Sequence, residues 1–298
     1  MIDIDKEDKN KKIVDFKCKR ANESGFSDKI IRDLKLAFPG TYNDADIMAK
    51  TAVAIKKETA SQICLLPFCH TVEAEALGGR INLSEGKYGP RAADYVYHSV
   101  DELLHLPDFD FEQGRLSQVL KACRILKAQE EKVVLEVSGY LTILNSLIDI
   151  TQIFKALRKD AEQVTEVFNI LANNLYSYFE EAQKAGVDII SYADPAGSVN
   201  IVGPKYTEII ASKFTVPFLK KATTFVDEKC IIHLCPKISL ILLSLGLAER
   251  KDLRLGGKMH YYEACLSSIG KEKIIGQACL KDPRSVLKDG NIWAFNFV

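Results

Sequence analysis

The stretch Cys230-Ile231-Ile232-His233-Leu234-Cys235 follows a helical segment, Tyr206 to Lys221, and this order of helix and then short apolar run recurs along the chain. Upstream, Ile47, Met48, Ala52, Val53 and Ile55 fall at helical spacing between Ala45 and Thr59 and lead into Ile63-Cys64-Leu65-Leu66. A helical pattern from about Leu116 to Gln129 precedes Val133-Val134-Leu135-Glu136-Val137, and a longer one from Ala161 to Ala185 precedes Val187-Asp188-Ile189-Ile190-Ser191-Tyr192. Downstream, Ile238 to Gly246 leads to a weak strand near Leu253 to Leu255, and Tyr261 to Ile269 leads to Lys273-Ile274-Ile275-Gly276-Gln277-Ala278. Short runs that are apolar almost throughout, rather than alternating, belong to strands covered on both faces, so the pattern predicts a parallel sheet wrapped by helices.

About six strands can be read this way, and eight close the usual (β/α)8 TIM-type barrel. The expected fold is that barrel, shortened at its N- and C-terminal ends. It forms one domain over residues 26–298 after a charged lead-in over 1–25, expected to fray or to lie as a short helix on the barrel exterior. Gly79 to Phe111, rich in Gly, Pro and Tyr, reads as a long loop region decorating one end.

The 298 residues carry 40 basic and 40 acidic side chains, so no charge excess drives binding to nucleic acid or an anionic membrane surface. No apolar run approaches the roughly 18 residues of a spanning helix, and Met1-Ile2-Asp3-Ile4-Asp5-Lys6 does not resemble a secretory leader. A soluble, cytoplasmic protein is expected. The 8 scattered cysteines suit reduced thiols or metal ligands better than a disulfide framework.

His233 and Cys235 stand at i and i+2 on a strand, so their side chains leave on one face and can reach one metal ion. In a barrel the C-terminal strand ends carry the active site, and a third thiol from another strand end would complete an open zinc site. Cys279, just after Ala278, is placed for this; Cys265, inside a helical pattern, is the competitor. A His-x-Cys pair taken alone is more often two ordinary interior residues.

Asp194 follows an apolar strand directly, with Pro195 fixing the turn, and is a substrate or ligand-orienting acceptor or else a helix-capping aspartate. Glu136 sits inside an apolar run, where a carboxylate buried in the barrel must be paired or ligating; it fits equally a position facing the outer helices at their polar edge. His70, Glu73 and Tyr192 are candidate substrate contacts near strand ends, although Glu73 and Glu75 also fit a first helical turn and Tyr192 also fits the core.

Four segments in order carry a resemblance: Thr71-Val72-Glu73-Ala74-Glu75-Ala76-Leu77-Gly78, Gly114-Arg115, Ala193-Asp194-Pro195 and His233-Leu234-Cys235-Pro236. Together they resemble the methylcobamide:coenzyme M methyltransferases of the uroporphyrinogen decarboxylase superfamily, over roughly Asp44 to Ser244. Pro236 stands where that family normally has Gly. The resemblance implies Zn2+ held by His233, Cys235 and Cys279, and methyl transfer from a methylated corrinoid on a partner protein to a small thiol such as coenzyme M. Asp194 and Glu136 would then orient ligands or acceptor. Two alternatives accompany it: tetrapyrrole decarboxylation, for which Lys19-Arg20 and Arg32 sit in no matching basic motif, and a non-catalytic barrel that docks a corrinoid protein.

Overall fold

The computed structural model describes residues 13–18, 26–83, 89–159 and 161–298. Its main sheet has seven strands: β1 Ile63–Leu66, β2 Lys132–Ser138, β3 Ile189–Ala193, β4 Ile231–Leu234, β5 Ala248–Arg254, β6 Ile274–Ile275 and β7 Asn291–Phe297. They lie in the order β1-β2-β3-β4-β6-β7-β5. The first five in that order pair parallel, while β7 pairs antiparallel with both β6 and β5. The arrangement is α/β of the barrel type; among the described residues β1 and β5 are the outermost strands, with no hydrogen-bonded pairing between them.

Helices alternate with the parallel strands, as the apolar periodicity requires. Ala45–Glu58 precedes β1 and starts at Asp44, whose carboxylate accepts from the Ile47 amide at 2.9 Å. Gly114–Ala128 precedes β2, and Ala161–Lys184 precedes β3. Gly186, just past that long helix at φ +81°, takes the left-handed conformation that lets the chain turn back into the sheet. Asp188 then fixes where β3 begins, accepting from the Val133 amide at 2.7 Å and from Lys127 Nζ at 2.8 Å.

The helices Pro236–Ser244 and Tyr261–Ser267 also fall where expected, and elsewhere the chain departs from the expectation in detail. Tyr206 to Lys221 is a composite, Pro204–Ile210, a π-turn Ala211–Thr215 and Val216–Phe225, still one helical passage. The region expected as loop contains a small antiparallel pair, Arg80–Asn82 with Arg91–Asp94. The weak strand near Leu253 is the end of the seven-residue β5, and the C-terminal stretch forms β7, paired with it from Asn291↔Arg254 to Phe297↔Ala248. Part of the lead-in, residues 1–12 and 19–25, lies outside the described residues. Residues 13–18 carry no helix; Asp15 accepts from Ser198 Oγ at 2.9 Å, and Phe16 and Cys18 reach the cavity described next.

Candidate active site

Sheet register decides which residues meet. Glu136 pairs with Ser191, Ser191 with His233, and His233 with Ile275, so these positions form one lateral row across β2, β3, β4 and β6. Alternation then puts their side chains on one face and their neighbours on the other. On the row's face a cavity of about 540 Å³ opens, lined by Glu136, Ser191 and His233, by Cys235 just beyond β4, and by Cys279 and Lys281 beyond β6. Phe68, Cys69 and His70, following β1, close another side.

His233 is buried, with Nδ1 3.0 Å from Ser191 Oγ and Nε2 3.0 Å from the Ala278 carbonyl. A carbonyl only accepts, so Nε2 carries the proton and Nδ1 accepts from the Ser191 hydroxyl. Burial, against the opposing pull of Ala278 and Glu136, lowers its pKa to about 4. Cys235 begins the helix Pro236–Ser244, and burial pushes its thiol up to about 12. Burial also raises Cys279. Both thiols are thus held neutral.

Among the described residues, no three His, Cys, Asp or Glu side chains converge closely enough to hold a metal ion. The donors on this wall, one imidazole and two thiols, are nevertheless of the kind that zinc takes. For His233 Nε2 to become a ligand it must leave Ala278. The Ser191 hydroxyl, which can accept as well as donate, could then receive the proton on Nδ1. By donor chemistry the residues fit zinc. Cys265 is fully buried in a separate apolar cluster with Tyr261 and does not line the cavity.

Glu136 forms the charged centre of the wall. Its Oε1 lies 2.7 Å from His70 Nε2 and 2.8 Å from Lys281 Nζ. Burial alone would raise this carboxyl; Lys281 and His70 outweigh it and hold the pKa down at about 2. Lys281, two residues after Cys279, was missed in the sequence because nothing local marks a surface-type lysine as the partner of a strand residue 145 positions away.

Three other sequence candidates are placed elsewhere. Tyr192 pairs with Val137 and Leu234 in the sheet and points to the helix side, 5.2 Å from the Phe218 ring, because it alternates with Ser191 and Ala193. Glu73 is fully buried off the cavity, accepting from the Ser138 amide at 2.8 Å and the Ser138 hydroxyl at 2.9 Å, so it ties a short helix to the end of β2. Asp194 turns from the cavity toward the helix Tyr140–Asn145, accepting from the Leu141 amide at 3.1 Å, the Thr142 amide at 2.8 Å and the Thr142 hydroxyl at 2.6 Å. Its role in the fold is to cap that helix, the plainer of the two readings of an Asp-Pro turn. Burial raises its pKa despite these donors.

The comparisons with known proteins agree with this architecture. The chain is 25% identical over 214 residues to the methylcobamide:CoM methyltransferase MtaA of Methanosarcina barkeri (strain Fusaro), spanning 70% of this chain and 62% of the relative. It is 24% identical over 210 residues to the methylcobamide:CoM methyltransferase MtbA of Methanosarcina mazei, spanning 66% and 59%. It therefore covers less than two thirds of the length of these relatives. A solved methyltransferase from Methanosarcina mazei superposes with a TM-score of 0.62 at 22% identity, over 73% of this chain and 64% of that one, a likeness of fold. Among the described residues, no helix is long and apolar enough to cross a membrane. The uroporphyrinogen decarboxylase (URO-D) family model matches residues 26–259, and the chain belongs to that family.

Proposed function

We propose that this protein is a corrinoid-dependent methyltransferase, moving a methyl group from a methylated corrinoid on a partner protein to a small thiol such as coenzyme M bound in the cavity, and that it acts in the cytoplasm. The observation that carries the reading is the union of His233, Cys235 and Cys279 on one cavity wall in a chain whose relatives are methylcobamide:CoM methyltransferases. Those three residues would hold Zn2+, whose charge favours ionisation of a thiol at neutral pH.

The chain's own groups supply the remainder. Ser191 fixes the His233 ring and can stabilise either tautomer. Glu136, anionic between Lys281 and His70, gives the cavity a fixed charge pattern that orients a small polar acceptor. Phe26, Tyr42 and Phe68 form an apolar flank that excludes water from the acceptor. Tetrapyrrole decarboxylation is less well supported. Lys237 and Lys281, the lysines on the described cavity wall, face Asp15 at 3.7 Å and Glu136 at 2.8 Å, which ill suits a polycarboxylate.

The test is metal content by mass spectrometry of protein purified without added zinc, beside His233→Ala, Cys235→Ala, Cys279→Ala and Cys265→Ala, followed by methylcobalamin demethylation with coenzyme M. About one zinc per chain, lost in the first three variants and kept in the last, is expected. A zinc-free protein that cannot be reconstituted, or a metal-loaded one that leaves methylcobalamin intact, would overturn the reading.

A further inference from the structure

The eight cysteines divide into two sets. Cys64, Cys123, Cys230 and Cys265 are buried, whereas Cys18, Cys69, Cys235 and Cys279 are partly accessible and all line the one cavity. Within the second set Cys69 has a distinctive environment. Arg115 Nη1 donates to its Sγ at 3.3 Å, and the Thr71 hydroxyl donates to the same sulfur at 3.4 Å. The guanidinium is only 3% exposed and is held in place by Glu75 on Nε and by Thr71 Oγ1 at 2.9 Å on Nη2. Thr71 occupies the N-cap position of Val72–Ala76, yet its side chain makes no capping bond; its hydroxyl is committed to this cluster. The Thr71 and Gly114-Arg115 segments thereby acquire a shared local purpose that the proposed metal site does not use.

A second, independent feature marks the spot. Tyr42, 3% exposed, lines the same cavity, and its buried hydroxyl has no hydrogen-bond partner among the described residues. Burial and then the nearby Cys69 raise its pKa to about 12, so the hydroxyl remains a donor awaiting an acceptor. A buried polar group without a partner is costly, and a bound group would relieve that cost.

We propose that Cys69 is a sulfur nucleophile of the cavity and a site of covalent modification by small disulfides, its sulfur held by Arg115 and Thr71 and the incoming group received by Tyr42. A guanidinium and a hydroxyl aimed at the sulfur stabilise the negative charge that a sulfur nucleophile carries into its attack. The Cys69 proton passes to water, and the sulfur then attacks one sulfur of RS–SR. The new bond is Cys69–S–SR, the reagent's S–S bond breaks, and RS⁻ leaves with the electron pair. Cys69 is oxidised to a mixed disulfide, and half of the reagent is reduced. The adduct would occupy the cavity beside His70 and Glu136 and exclude an acceptor; this consequence alone rests on the methyltransferase reading.

The test is exposure of the full chain to 2-hydroxyethyl disulfide at pH 7, followed by intact mass and peptide mapping. One adduct per chain is expected at Cys69, forming at least about tenfold faster than at Cys18, Cys235 or Cys279. Cys69→Ser should abolish the fast adduct. Thr71→Val, checked for folding by circular dichroism, should slow it by roughly fivefold, the effect of one lost hydrogen bond. A first adduct at another cysteine, or labelling of Thr71→Val at the wild-type rate, would overturn the proposal. Neither readout involves methyl transfer, so failure here is distinguishable from failure of the proposed function.

Discussion

The parallel strands β1 to β4 and the C-terminal part built on β5, β6 and β7 contribute to the same cavity in different ways. The first part is assembled from adjacent helix–strand units, and its interior row, Glu136, Ser191 and His233, is fixed by parallel register. The second is assembled by antiparallel pairing between β5 and β7, and it returns Ala278, Cys279 and Lys281 to that row. The parallel part thus supplies the imidazole and the carboxylate, with Ser191 and His70 beside them, and the C-terminal part adds Ala278 against His233 and Lys281 against Glu136. A site divided this way is sensitive to damage in either part, but the two should fail differently.

The most severe break is deletion of residues 291–298. It removes buried Ile292, Ala294 and Phe295 and leaves β5 without a strand partner among the described residues. The expected loss exceeds about 5 kcal/mol, with hydrogen exchange accelerating in 248–287 while β2 and β3 remain protected. Equal loss of protection in β2 and β3 would show that the parallel part has no separate stability.

Gly139→Ala attacks the parallel part alone. A Cβ there would fall 2.5 Å from the Asp194 Cβ and 2.8 Å from its Oδ2, at the cap of Tyr140–Asn145. About 3 kcal/mol of destabilisation is expected in urea titration, by overpacking.

The joint between the parts can be probed by pH. The folded pKa of Glu136, about 2, lies below its ordinary 4.5, so it contributes stability above pH 4.5 that is lost as pH falls from 4.5 to 2. The full contribution is at most about 3 kcal/mol, and less because Lys281 is partly solvated. Lys281→Met should cost about 2 kcal/mol at pH 7 and shift the acid limb of stability to higher pH. An unchanged acid limb would remove Lys281 as the group that keeps Glu136 anionic.

The smallest effect belongs to the outer edge. Arg250 lies over the Trp293 ring at 4.8 Å and is half exposed, so Arg250→Ala should cost about 0.5 kcal/mol. A much larger loss would mean that the edge of β5 bears more of the fold than its exposure suggests.

Legibility followed the same division. Helices ahead of β1, β2 and β3 were readable because an amphipathic period and a short apolar run are local properties. β7 was not, since Asn291 to Phe297 is a mixed polar and apolar stretch whose meaning comes from pairing with a strand some 40 residues away. Tyr192 shows the limit inside a correctly read strand: the run Ile189 to Ala193 is buried on both faces, so no polar alternation reveals which residues face the cavity. Arg115 was visible as part of a motif, but its contact with Cys69 spans 46 positions.

The sequence by itself determined that apolar strands would alternate with helices, that His233 and Cys235 would share a face, and that Glu136 would need a partner. These follow from backbone periodicity and from the cost of burying charge. Only the tertiary structure decided that Lys281 and His70 would be that partner, that Asp194 and Glu73 would tie helices to the sheet rather than face the cavity, and that four cysteines would open on one space. Those outcomes depend on strand register and on the return of distant segments, which no local pattern encodes.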